Sequence, residues 1–195
     1  MKSRIGRINR KTRETEVSVN LNLDGNGKIE VKTGISFLDH MIISIAKHSM
    51  ADLKLNAVSK DGIIHHLIED TAIALANAMD TSLANRSGIV RFGYASVPMD
   101  ESLAEVSLDL VKRPYHKIDL KIERNKIEGI SKEDLEHFFR SFAQNLNACT
   151  HITVKYGEND HHKIEAALKA FALAWRVAIS CDKKQKGIPS TKGVM

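Results

Sequence analysis

Two segments of this 195-residue chain read as copies of one another, and that repetition restricts the fold more than any other feature. The first is FLDHMIISIAKHSMADLKLNAVSKDGIIHHLIEDTAIALANAM; the second is LEHFFRSFAQNLNACTHITVKYGENDHHKIEAALKAFALAWRVAI. An acid-His pair opens each copy, Asp39-His40 and Glu136-His137. A His-His-x-x-Glu motif closes each, as His65, His66 and Glu69 and as His161, His162 and Glu165. His40 precedes His66 by 26 residues and His137 precedes His162 by 25, so one insertion aligns the copies. A half with a sheet and helices on one face leaves an apolar layer uncovered, and two halves can bury those layers against each other.

Local pattern fills in each copy. SFLDHMIISIAKHS sets Phe37, Leu38, Met41, Ile42 and Ile45 on one helical stripe, with Ser36 at the N-cap. ADLKLNAVS and THITVKYG alternate as strands do, and Asp61-Gly62 and residues 157–160 turn the chain. HHLIEDTAIALANAM and HHKIEAALKAFALAWRVAIS then resume a 3.6-residue period, so each His-His pair starts a helix. Upstream, ETEVSVNLNLDGNGKIEVKT reads as a hairpin turning at Asp24 to Gly27, and YASVPMDESLAEVSLDLVKRPYHKIDLKI as two further strands. Each half is then two or three strands, a helix, a strand and a helix, and the expected fold class is α+β. Residues 1–88 form the first half and 89–186 the second, within one two-repeat domain.

Composition closes off other classes. Hydrophobic residues at 43% supply a core without disulfides, and the two cysteines, Cys149 and Cys181, lie outside any CxxC spacing. Both read as plain core or helix residues of a protein in a reducing compartment. The N-terminal MKSRIGRINRKTRETEVSV lacks the apolar run of a signal peptide, and no window reaches the roughly 18 apolar residues of a membrane span. A soluble, cytoplasmic protein with no membrane partner is expected. A net charge of +5 suits an anionic ligand such as a phosphate ester. Only 5% of residues are aromatic, and several of these sit in the helical HFFRSFAQ, which argues against a nucleic-acid partner read by base stacking.

Six of the nine histidines occupy matched positions of the repeat, joined by Glu69 and Glu165. Retention for helix starts alone is one reading; metal ligation is the other. On an α-helix His65 and His66 each reach Glu69, at i,i+4 and i,i+3, but diverge from one another by about 100°. Two adjacent imidazoles therefore do not easily serve one ion. Two ions, each taking one histidine of a pair, a glutamate and histidines from another segment, would use His40, His65, His66, Glu69, His137, His161, His162 and Glu165. Six nitrogens and two carboxylates without thiolate suit manganese, iron, cobalt or zinc.

The stretches FLDHM (37–41), HHLIED (65–70), RFGYASVPMDESLA (91–104), RP (113–114), HHKIEAALKA (161–170) and IPSTKGV (188–194) together resemble the imidazoleglycerol-phosphate dehydratases, lyases of histidine biosynthesis. The resemblance implies a duplicated half-domain of the split β-α-β type, similar to the second domain of ribosomal protein S5, with helices sandwiched between two mixed sheets. It also implies two Mn2+ per active site, with other first-row divalent ions fitting the same donors. The assembly implied is a homo-oligomeric shell of 24 subunits with active sites between subunits. The implied reaction converts D-erythro-imidazole glycerol phosphate to imidazole acetol phosphate. Its difficulty is a C–H bond that no carbonyl acidifies. A substrate ring held through both nitrogens by metal becomes imidazolate-like and can expel the C3 hydroxyl through a diazafulvene-like intermediate.

By the same resemblance Glu14, in RKTRETEV, is the general base, and Asp100 and Glu101 of PMDE orient ligands or substrate hydroxyls. Arg91, Arg113, Lys169, Ser190 and Lys192 fall at phosphate-contact positions, and residues 187–195 form a tail that closes over substrate. The chain departs from the family pattern at Ile63-Ile64, where an acidic residue is common, and at Ser44, where glutamine is typical. It departs again at LVKRP, Leu168 and Trp175, and none of these changes removes a ligand. Two other classes compete. A dimetal hydrolase would tolerate loss of Lys192, and an RNA-binding module of the same half-fold would cluster basic residues on a sheet face without metal dependence.

Overall fold

Alternation along the strands decides which face is covered. Thr15, Val17, Val19 and Leu21 are buried on β2 (Thr15–Asn22), while Glu16, Ser18 and Asn20 are exposed. Ser102, Ala104, Val106 and Leu108 repeat that pattern on β6 (Ser102–Asp109). The computed structural model describes residues 4–195. The first half also holds β1 (Ile5–Lys11), β3 (Ile29–Lys32), α1 (Ser36–Ser49), β4 (Asp52–Ser59) and α2 (Ile64–Ser82). The second holds β5 (Phe92–Met99), β7 (Tyr115–Asp119), β8 (Lys126–Ile127), β9 (Ile130–Ser131), α3 (Lys132–Asn145), β10 (Cys149–Tyr156) and α4 (Asp160–Ala178).

Two four-stranded sheets carry the same order, β1-β2-β4-β3 and β5-β6-β10-β7. In each, the last strand is parallel to its neighbour, β3 to β4 and β7 to β10, and the other pairs are antiparallel. The sheets are therefore mixed, with α2 packed on the first, α4 on the second, and α1 against α4 and α2 against α3 between them. This is the expected α+β sandwich.

The expected hairpin across Asp24–Gly27 is not one. β4 lies between β2 and β3, because β4 carries the buried Leu53, Leu55 and Ala57, whereas the short β3 is nowhere fully buried and goes to the sheet edge. The turn itself is real: Asp52 Oδ1 accepts from the backbone N–H of Asn26 and of Lys28, both at 2.8 Å. Three strands, β5, β6 and β7, occupy the segment read as two, and β1 and the small β8–β9 hairpin add to the sequence reading. Ser36 does not cap α1. Ile35 holds that position without a side-chain bond, and Asp39 Oδ1 reaches back instead to Thr33 N–H (2.8 Å) and Thr33 Oγ1 (2.7 Å). Cys149 is a half-buried strand residue and Cys181 is exposed, so neither belongs to a helix or the deep core.

Helix and sheet approach most closely where α2 crosses β1 and α4 crosses β5. A Cβ on Gly6 would stand 1.9 Å from Ala78 O, and one on Gly93 would stand 2.0 Å from Ala174 O. Both obstacles are backbone, which cannot swing aside. Gly93→Ala should cost about 1–3 kcal/mol and lower Tm by several degrees, on the order of 2–10 °C for a chain of this length. Thermal unfolding followed by circular dichroism checks this; an unchanged midpoint would contradict the close approach. Phe142 meets Phe171 edge-on at 5.0 Å, and Phe171 stacks on the fully buried Trp175 at 6.2 Å, joining α3 to α4. Among the described residues no helix is long and apolar enough to cross a membrane.

Candidate metal centre

Each His-His pair sits at the second and third positions of a helix, His65-His66 on α2 and His161-His162 on α4. The opening histidines project from the other two helices, His40 on α1 and His137 on α3. Packing α1 against α4 and α2 against α3 therefore crosses the repeats. His40 joins His161 and Glu165, and His137 joins His65 and Glu69, each triad having its donor atoms within 4.8 Å of one another.

The distances are those of groups converging on a shared point. His40 Nε2 and His161 Nε2 lie 3.6 Å and 3.4 Å from Glu165 Oε2, and His137 Nε2 lies 3.5 Å from Glu69 Oε1. His137 Nε2 is also buried without a hydrogen-bond partner. A buried nitrogen left bare is rare and costly, and a divalent cation at the centre of the triad would satisfy it. The donor set and the orphaned nitrogen both fit a metal ion.

Carboxylates fix the imidazoles from behind. His65 Nδ1 meets Asp134 Oδ1 at 2.7 Å, His66 Nδ1 meets Asp61 Oδ2 at 2.7 Å and His162 Nδ1 meets Glu101 Oε2 at 2.7 Å, while His161 Nδ1 is 3.3 Å from Glu128 Oε1. A proton held on Nδ1 leaves the Nε2 lone pair for a metal. Asp61 thus does more than turn the chain, which corrects its reading as a plain loop residue. Asp134 and Glu128 escaped sequence reasoning, although Ser131-x-x-Asp134 is a legible helix cap: Ser131 Oγ accepts from Asp134 N–H at 3.0 Å. Asp134→Asn should weaken divalent-ion binding by about 10–100-fold, read by titrating chelator-stripped protein; unchanged affinity would deny Asp134 this role.

The structure does not bring all eight predicted groups into one chain's two triads. His66 turns away from His65, with ring centroids 6.1 Å apart and planes at 69°, and His162 turns away from His161 at 6.0 Å and 86°. His66 sits instead with Asp61 and Glu14, and His162 with Glu101 and Asp100, whose Oδ2 is 3.6 Å from His162 Nε2. The bond from Asp61 raises the His66 pKa above the ordinary histidine value, and the bond from His162 holds Glu101 well below the usual carboxylate range. Burial works to raise Glu165, yet Lys169 and then His40 bring it below its ordinary value.

Glu14 points its half-exposed carboxylate at the same cluster, with Oε2 3.8 Å from His66 Nδ1. Its loop is fastened by groups unread in the sequence. Asp70, buried on α2, accepts from Arg10 Nε at 2.7 Å and from Thr15 Oγ1, and Lys60 Nζ donates to Thr12 O (2.8 Å) and Thr15 O (2.9 Å).

Four of the five predicted phosphate contacts meet. Arg91, Arg113, Ser190 and Lys192 line a 270 Å³ pocket together with Val111, Thr191, Val194 and Met195. Arg91 is held by Asp109 (2.6 Å and 2.9 Å) and donates to Pro189 O at 2.7 Å, which folds the tail against β5 and β6. Lys169 is absent from that pocket and pairs with Glu165 Oε1 at 2.8 Å. Ile63 and Ile64 are exposed beside the first pair, and the Ser44 hydroxyl is buried without a partner.

Known proteins share this arrangement of chain and fold. Residues 33–175 match the family model for imidazoleglycerol-phosphate dehydratase. The imidazoleglycerol-phosphate dehydratase of Chloroherpeton thalassium is 44% identical over 196 residues, spanning 100% of both chains. That of Dehalococcoides mccartyi is 44% identical over 196 residues, covering 100% of this chain and 99% of its own. The crystal structure of the Pyrococcus furiosus enzyme superposes with a TM-score of 0.82 at 36% identity, covering 96% of this chain and 100% of that one. Family model, full-length identity and superposition agree, and this chain belongs to the imidazoleglycerol-phosphate dehydratase family, lyases of histidine biosynthesis.

Proposed function

We propose that the chain dehydrates D-erythro-imidazole glycerol phosphate to imidazole acetol phosphate at a site holding two divalent ions, with Mn2+ as the first choice. The observation that carries this reading is the pair of cross-repeat triads, His40, His161 and Glu165 and His65, Glu69 and His137, with a bare nitrogen buried in one of them. Two bound ions would supply Lewis acidity to the two ring nitrogens of the substrate.

The chain's own groups do the rest. Arg113, Ser190 and Lys192, with Arg91 held rigid by Asp109, bind the phosphate and place the glycerol chain. The ring gives up its N–H proton and expels the C3 hydroxyl, the two departing together as water, and so passes through a diazafulvene-like form. Glu14 takes the proton from C2, the electron pair of that bond forms the enol, and the enol relaxes to the ketone. Glu101 and Asp61 engage Nδ1 of His162 and His66, which leaves Nε2 as the atom that would meet an ion. Turned out of their own chain's triads, His66 and His162 suit ligation of ions held by a neighbouring subunit, which supports active sites between subunits; the family resemblance makes the assembly a homo-oligomeric shell of 24 copies. Residues 1–88 and 89–186 are then the two halves and 187–195 the closing tail. Two free cysteines suit a cytoplasmic enzyme.

Incubating purified, Mn2+-loaded protein with imidazole glycerol phosphate tests the reading. Imidazole acetol phosphate is the expected product; its absence from correctly folded protein would overturn the assignment of substrate.

A further inference from the structure

The repeat makes the two triads look equivalent, yet their charges differ. The carboxylates behind His66 and His162 match one another, Asp61 and Glu101 at the same 2.7 Å, and cancel from the comparison. The groups that remain do not match. The His65–Glu69–His137 triad has Asp134 at 2.7 Å from His65, and among the described residues no lysine or arginine pairs with Glu69. The His40–His161–Glu165 triad has the Lys169 ammonium 2.8 Å from Glu165, and its rear carboxylate, Glu128, stands off at 3.3 Å on an exposed turn. Lys169 lies four residues after Glu165 on α4, and the corresponding position after Glu69 on α2 is Ile73. The ammonium is also held by Met99 Sδ at 3.2 Å, so it is a lodged charge rather than a solvated one. Counting the glutamate, the rear carboxylate and the lysine, the first triad carries a formal charge of −2 and the second −1.

A dication feels that difference directly. An ammonium in contact with a liganding carboxylate repels the ion and competes for the oxygen's lone pairs. We infer that the two ion sites fill in order: the His65–Glu69–His137 site binds first and tighter, and Lys169 makes the His40–His161–Glu165 site the weaker, later one. The inference rests on the dimetal reading above and adds an asymmetry to it. Full occupancy, and with it the competent site, then depends on the free concentration of the ion at the Lys169 side.

Chelator-stripped whole protein titrated with Mn2+ by calorimetry tests this without reference to turnover. Two binding steps per chain are expected, separated by about tenfold or more in affinity. Lys169→Met should tighten the weaker step by about tenfold and leave the tighter one in place, whereas Lys169→Arg should keep the gap. Ile73→Lys, which builds the same pair into the first half, should weaken the tighter step and carries the test if Lys169→Met does not fold. A single class of sites in the wild type, or two steps that neither substitution moves, would overturn the order of filling. Fewer than two ions per chain in every variant would instead remove the dimetal reading, and the order with it.

Discussion

Removing divalent ions from the purified protein should abolish dehydration of imidazole glycerol phosphate, and returning Mn2+ should restore it. The expected loss is large because the hydrogen at C2 is not next to a carbonyl, so a carboxylate base alone meets a carbon acid far too weak to deprotonate at neutral pH. Lewis-acid activation of the ring is worth several kcal/mol, and each ~1.4 kcal/mol is tenfold in rate, so a fall on the order of a thousandfold or more is expected. Ligand replacement should follow the same course. Glu69→Gln or His137→Ala breaks one triad, whose His137 Nε2 lies 3.5 Å from Glu69 Oε1, and should lower both bound metal and turnover together. Activity that survives thorough chelation, with metal content verified as nil, would sink the dimetal mechanism.

The legible part of this protein was what lies close along the chain. His-His-x-x-Glu repeats at helix starts, and the structure places both pairs there, because an i,i+4 spacing is set by the helix itself. Which opening histidine joins which pair depends instead on helix packing. α1 packs on α4 and α2 on α3, so His40 meets Glu165, 125 positions on, and no local pattern encodes that crossing. The misplaced hairpin has the same origin: β2 and β3 are adjacent in sequence, yet β4 returns from α1 to pair with both. Glu101, named from its motif, does stand behind His162, but two other carboxylates behind imidazoles were hidden for a different reason. Asp61 and Asp134 sit where turns and caps favour aspartate anyway, so their second use, at 2.7 Å from His66 and His65, leaves no separate mark in the residue pattern.

Glu14→Gln should lower kcat by about 10²–10⁴-fold, the usual worth of a positioned base, while leaving metal content and Tm nearly unchanged. The separation of those readouts follows from how the loop is built. Glu14 contributes its backbone to the structure: its N–H donates to Thr12 Oγ1 at 3.1 Å and its carbonyl accepts from Lys60 N–H at 2.7 Å. The side chain does none of this work. Half exposed, 3.8 Å from His66 and outside the two cross-repeat triads, it can lose its charge without loosening a strand. Glutamine keeps the shape and cannot accept the C2 proton, so chemistry should fail with little change in KM. Glu16 provides the internal control. It pairs with Lys11 at 3.3 Å on the exposed face of β2, so Glu16→Gln should leave kcat within about twofold, in line with the small worth of surface ion pairs. Full activity in Glu14→Gln, or an equal loss in Glu16→Gln, would take the base role away from Glu14. A third result, loss of activity together with loss of metal, would recast Glu14 as a support for His66, since it shares that cluster with Asp61.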